Sequence, residues 1–404
     1  MSIVGNLPPL LFLTFRELYG ISYSLLGLLV LINFVTQLAI DLVFSFFSHK
    51  FNIEKTVRAM PVITVFGLAV YALSPFIFRE AVYVGLCIGT VIFSAASGLG
   101  EVLISPVIAA IPSPDPDREM SKLHSVYAWG VVAIVLFATS FIFVFGKECW
   151  QILAALIALL PLFSAFLFAS AKIPTLATAE KASGALKQLK SKALWACVIA
   201  IFLGGAAECT MAQWCSSYLE NALGIEKIWG DIFGVALFAA TLGLGRTLYA
   251  KMGRNIGKAI TLGAVGAVAC YLLAALSGIP VAGLLACAFC GFCVSMLWPG
   301  NLVVATDRFP KGGVFIFAMM AAGGDLGASV GPQLVGIVTD AVIASEKAVA
   351  LADSLSLTPD QLGMKAGLLV GMLFPLLAIP LYIKLWKGNK FNAVKASESY
   401  ANAE

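Results

Sequence analysis

The chain has 404 residues, of which 60% are hydrophobic and only 12% charged, with a formal net charge of +4. Uninterrupted apolar blocks of about 20 residues recur, each long enough to cross roughly 30 Å of hydrocarbon as a helix, which excludes an ordinary soluble domain. The small positive charge gives no reason to invoke nucleic acid, and the alternating strand pattern of a membrane barrel is missing.

The chain opens with IVGNLPPLLFLTF, about half a helix, with no basic segment ahead of it as a secretory signal would have. We read residues 3 to 15 as the outer part of a first helix. Eleven complete spans follow, near 24–47, 59–78, 81–108, 123–145, 150–171, 193–219, 229–250, 257–276, 279–305, 313–343 and 364–386. Lysine and arginine favour cytoplasmic loops. With the first helix running outward, twenty of the 26 basic residues, Arg246 among them, fall on the inner side. Six fall on the outer side: Arg16, Arg79, Lys147, Lys227, Lys347 and Lys365. Both termini are therefore expected in the cytoplasm of a cell whose plasma (inner) membrane the chain spans.

The most polar interior stretch, KIPTLATAEKASGALKQLKSK, separates the sixth and seventh spans. It reads as a linker at 172–192 between a first half at 1–171 and a second half at 193–390, with a cytoplasmic tail at 391–404. Internal repetition supports that division. SGLGEVLISP and CGFCVSMLWP share a Gly-to-Pro spacing of eight at an offset of 193, from Gly98–Pro106 to Gly291–Pro299. The Asp117-Arg118 and Asp307-Arg308 pairs repeat at an offset of 190, and Gly20-Ile21 aligns with Gly224-Ile225 at 204. The last alignment would start the first helix about a dozen residues before Met1, so that helix is expected to lack its inner turns.

Two six-helix halves joined by a basic loop resemble the major facilitator superfamily, and GRTLYAKMGRNIGK at 245–258 resembles that superfamily's glycine and basic-residue loop. Its first-half counterpart is degenerate, with Gln37 and Asp41 four apart in TQLAID and no glycine. GLGEVLISP resembles the fourth-helix pattern of the fucose permease branch of sugar and proton symporters, with Ser105 in place of an asparagine. LHSVYAWG at 123–130 and GGDLGASVGP at 323–332 resemble that branch's fifth- and eleventh-helix motifs. The resemblance implies an all-α membrane protein of twelve helices, working as an alternating-access carrier. One departure concerns coupling: the fucose permease pairs its fourth-helix glutamate with a first-helix aspartate, where this chain has Asn6, Pro8 and Pro9.

Intramembrane carboxylates are costly and mark function by default. Glu101, Glu208 and Asp325 are the deep acids, and no lysine or arginine is expected comparably deep. Ser94, Gly98, Glu101 and Ser105 recur at four, three and four and form one small, polar stripe. Such a stripe suits either a cavity wall or a tight helix contact. Glu101 is the expected proton carrier. Glu208 suits a functional or a structural role equally, and Asp325, among glycines, a structural or gating one. For a sugar-like solute, aromatic faces and amides are the expected contacts. The candidates are Asn33, Gln37, Tyr127, Trp129, Gln213, Trp214, Trp298 and Asn301.

Cys287, Cys290 and Cys293 look like a metal motif but lie inside a helix with no histidine nearby and read as packing residues. His49 reads as a surface residue and His124 as a residue opening the fifth span. No nucleotide loop or nucleophile constellation appears, so neither an enzyme nor an ATP-driven pump is expected, and no cofactor or metal. The expected partners are a small-molecule solute, protons and the lipid bilayer, and the expected state is a monomer. The competing expectations are an exporter of hydrophobic or cationic compounds, an uncoupled facilitator, and a non-transporting membrane sensor on the same fold.

Overall fold

The computed structural model describes residues 2–47, 50–112, 116–174, 189–252, 255–309 and 313–401, and the described residues contain helices and no strand. A chain in hydrocarbon must satisfy its backbone internally, and helices do so locally. Among the described residues ten helices are long and apolar enough to span a membrane, and Trp129–Phe145 is a shorter apolar helix. We number twelve spans in chain order. The first half holds α1 (Ser2–Leu10 and Phe12–Tyr19), α2 (Tyr23–Phe47), α3 (Ile53–Ile77), α4 (Val82–Ala110), α5 (Pro116–Phe145) and α6 (Trp150–Ser170). The second half holds α7 (Lys192–Leu223), α8 (Lys227–Gly230 to Leu237–Met252), α9 (Ile256–Leu276), α10 (Pro280–Val294 and Leu297–Arg308), α11 (Gly313–Ile343) and α12 (Pro359–Ala401).

The interruptions have local causes. Pro8 and Pro9 cannot donate to the helical ladder, and α1 breaks at Leu11, whose N–H reaches only back to Pro8 O at 3.0 Å. In α8 the turn Asp231–Ala236 widens to a π-helix, and α10 breaks at Ser295-Met296, just ahead of Pro299. The repeat expected from the sequence recurs in backbone detail. Gly20 and Gly224 end α1 and α7 in the same left-handed conformation, both with φ of 65°, and Asn52 and Asn255 cap α3 and α9 through Lys55 N and Lys258 N, each at 3.0 Å.

Several contacts between the halves lie at the end where α1 finishes and α2 begins. Arg16 pairs with Asp360 at 2.8 Å, Thr139 donates to Asp231 at 2.6 Å, and Gln333 donates to Ser24 O at 3.2 Å. An aromatic cluster backs them, with Trp214 of α7 against Phe12 at 5.2 Å and Tyr23 at 6.0 Å between centroids. At the opposite end of the bundle, where α2 finishes and α7 begins, Val126 and Tyr127 of α5 stand uncovered. The contacts just described seal the first end. His49 and most of the 172–192 linker lie outside the described residues, as do the side chains of Ser105, Asp117, Arg118, His124 and the tail.

Candidate functional site

The polar stripe of α4 divides its tasks. Ser94 is buried and donates to Asn33 Oδ1 of α2 at 2.6 Å, and a Cβ added at Gly98 would stand 3.1 Å from the Gln37 backbone. This part is a tight helix contact, in which Gln37 Nε2 reaches Asn33 O at 3.5 Å. One turn further along α4 Glu101 is exposed, while Leu103 and Val107 beyond it stay buried in a cluster with Phe44 of α2. It interacts electrostatically with Asp41 of α2, Tyr127 of α5 and Asp325 of α11, so the space it borders lies between helices of both halves. Among the described residues Glu101 makes no ion pair.

Glu208 behaves differently, and here the sequence expectation is corrected. A basic residue does lie deep: Arg246 of α8 donates to Glu208 Oε1 at 3.1 Å and Oε2 at 3.4 Å. The charge count assigns Arg246 to the inner side although it falls within the 229–250 span, and α8 carries it inside the membrane-spanning helix. Its position is fixed from behind. Pro299 has no N–H to offer the carbonyl four residues earlier, which leaves Ser295 O free, and Arg246 Nε donates to that oxygen at 3.1 Å. The proline of the repeated motif thus sets the counter-ion of Glu208. Lys365 is also partly within its span, its ammonium donating to Ala275 O at 3.2 Å and Ser277 O at 2.7 Å at the end of α9.

Asp325 and Asp41 are both buried, and their carboxyls interact across the two halves. Asp41 Oδ1 and Asp325 Oδ2 are buried without a hydrogen-bond donor among the described residues. In the sequence Asp41 resembles a remnant of a loop motif; its place beside Asp325 depends on α11, which no local pattern reveals.

The amides and aromatics scatter. Tyr127, 45% exposed, faces the same space as Glu101, Glu208 and Arg246. Trp129, 72% exposed, lies two residues on and therefore on the far side of α5. Trp214 is fully buried in the sealed end, its indole donating to Pro332 O at 2.9 Å. Trp298 lies with its ring against Gly205 and Gly324. Asn301 is buried between α10, α7 and α12, donating to Leu297 O at 2.6 Å and to the Tyr382 hydroxyl at 3.1 Å. Asn33 and Gln37 are in the α2–α4 contact, and Gln213 is buried with its Oε1 unpartnered. The structure therefore gathers Glu101, Tyr127, Glu208 and Asp325, adds Arg246 and Asp41, and leaves Trp129, Trp214 and Asn301 away from that group. The three cysteines of α10 are buried and free, and no metal-holding group of His, Cys, Asp and Glu exists among the described residues.

Twelve helices in two repeated halves, closed at one end around a polar interior, are the frame of a membrane carrier. Residues 1–332 match the model of the Major Facilitator Superfamily, and the chain belongs to that superfamily. Among solved structures it is similar to a bacterial homologue of the human lysosomal transporter Spinster in an inward-facing, unoccupied conformation, at 11% identity over 96% of each chain and a TM-score of 0.72. It is similar to the nucleoside transporter NupG at 11% identity over 95% of this chain and 98% of that one, with a TM-score of 0.71. It is also similar to the Escherichia coli fucose:proton symporter FucP, at 15% identity over 93% and 95%, with a TM-score of 0.59. No curated protein matches the sequence.

Proposed function

We propose that the chain is a proton-coupled, alternating-access carrier that takes up a small polar solute such as a sugar, with Glu101 as the proton-sensitive group. The observation that carries this is the contrast between two deep glutamates. Glu208 has its charge matched by Arg246, whereas Glu101 is exposed and makes no ion pair among the described residues. A carboxyl that loses and gains a counter-charge as access alternates can carry a proton. Asp41 and Asp325 add two further carboxyls that interact with Glu101. The solute would lie against Tyr127 and the Arg246–Glu208 pair, whose hydroxyl, guanidinium and carboxylate suit hydroxyl-bearing molecules. The bias of basic residues to one side supports cytoplasmic termini in a plasma membrane, and on this reading the carrier acts as a monomer with halves at 1–171 and 193–390.

The surplus of carboxylates over cations also favours a second reading, export of a cationic compound. Uptake into proteoliposomes with and without an imposed proton gradient separates the two. The proposal expects gradient-driven accumulation of a neutral polar solute that becomes indifferent to the gradient in Glu101→Gln. Accumulation that stays gradient-dependent in that variant removes Glu101 from the mechanism, and movement of organic cations alone favours the second reading.

A further inference from the structure

The sealed end is held by contacts that the site does not use. Helix α2 starts at Tyr23, and the N–H groups of a first helical turn need acceptors from outside the helix. Ser22 provides one locally, its hydroxyl oxygen accepting from Leu25 N at 3.3 Å. The others are met from the second half. Asp340 of α11 accepts from Tyr23 N at 3.2 Å and Ser24 N at 2.6 Å, and from the Ser24 hydroxyl.

Two more carboxylates of the second half grip the first. Asp360 accepts from Arg16 at 2.8 Å and from the Tyr23 hydroxyl at 3.3 Å, but that ion pair is about one-third exposed on both sides, where screening leaves little. Asp231 accepts from Thr139 at 2.6 Å and is already neutralised by Lys227 at 3.1 Å. Asp340 differs from both in gripping main-chain donors at a helix N-terminus, where the helix dipole favours a negative charge. The approach is built into the sequence one turn before it: a Cβ at Gly336 would stand 2.4 Å from Tyr23 O, so only glycine lets α2 begin against α11.

We propose that Asp340 is the latch of the sealed end, supplying α2 with an N-terminal cap from the opposite half that exists only while this end is closed. The inference rests on the alternating-access reading, since a latch needs an open state to oppose. Opening this end carries Asp340 away from α2 and leaves three donors to water, so the carboxylate biases the molecule toward the state seen here. The remaining seams then open with it.

The test is amide hydrogen exchange read by mass spectrometry on the full-length protein in lipid nanodiscs, comparing wild type with Asp340→Ala, Asp340→Asn and Gly336→Ala. The latch predicts that Asp340→Ala raises exchange about tenfold or more at residues 22–26 and also in the distant seams around Thr139 and Asp231. Asp340→Asn, which keeps an acceptor oxygen, falls between it and wild type. Gly336→Ala, which pushes α2 off α11 without removing the carboxylate, gives the same spread and covers the case in which Asp340→Ala does not fold. A rise confined to 22–26 in Asp340→Ala, with Gly336→Ala opening every seam, makes Asp340 a local cap and overturns the latch while alternating access stands. Seams that never open together in any variant overturn both.

Discussion

Replacing Arg246 by alanine isolates the difference between the two deep glutamates. The guanidinium makes two hydrogen bonds to Glu208, at 3.1 and 3.4 Å, and one to Ser295 O at 3.1 Å. Breaking a dry ion pair by removing one partner costs about 3–5 kcal/mol, and breaking a solvent-exposed one about 0.2–1 kcal/mol. Here the carboxylate is 15% exposed and the guanidinium 39%, which places the cost between those limits, at about 2 kcal/mol. Arg246→Ala should therefore lower the thermal midpoint of the purified protein in detergent. Adding Glu208→Gln removes the stranded charge, and the double variant should recover at least half of the loss. Double-mutant comparison is the appropriate form because the two residues touch. An Arg246→Ala protein as stable as wild type, or a double variant less stable than Arg246→Ala, would show that Glu208 does not need this counter-ion, and the contrast with Glu101 would lose its basis.

Two further outcomes follow from the packing. A Cβ at Gly327 would stand 2.0 Å from Phe202 O, a backbone atom that cannot swing aside, so Gly327→Ala should force α7 and α11 apart and destabilise by about 3 kcal/mol, seen as a lowered thermal midpoint; an unchanged midpoint would contradict the α7–α11 crossing. Tyr127→Phe should weaken solute binding or uptake several-fold, whereas Trp129→Ala, on the far side of α5, should leave it within twofold of wild type; the reverse order in a binding titration would contradict the assigned faces of α5.

The spans were legible because hydrocarbon imposes one solution on the backbone, and apolar blocks of about 20 residues record it directly. The Gly20 and Gly224 match was legible for a similar reason: a left-handed helix end selects glycine in both halves. Glu101 stood out because a lone carboxylate in an apolar run has no local explanation. Arg246 did not, since basic residues near helix ends are ordinarily loop residues; its acceptor is a carbonyl freed by Pro299 on another helix, and only the fold joins the two. Asp41 was missed for the same kind of reason, its partner lying on α11 of the other half. Trp214 is expected from the sequence as a solute contact, and its packing instead depends on Pro332 and Phe12, both remote in sequence. The π-turn at Asp231–Ala236 has no marker in the sequence that we can name.

The central claim is that solute and protons move together through Glu101. The most direct measurement is the pH outside lightly buffered proteoliposomes containing the full-length protein, recorded as members of a sugar and small-metabolite panel are added. The account predicts alkalinisation triggered by a particular polar solute and abolished in Glu101→Gln. Solute uptake with no pH change, or a pH change that survives in Glu101→Gln, would contradict it.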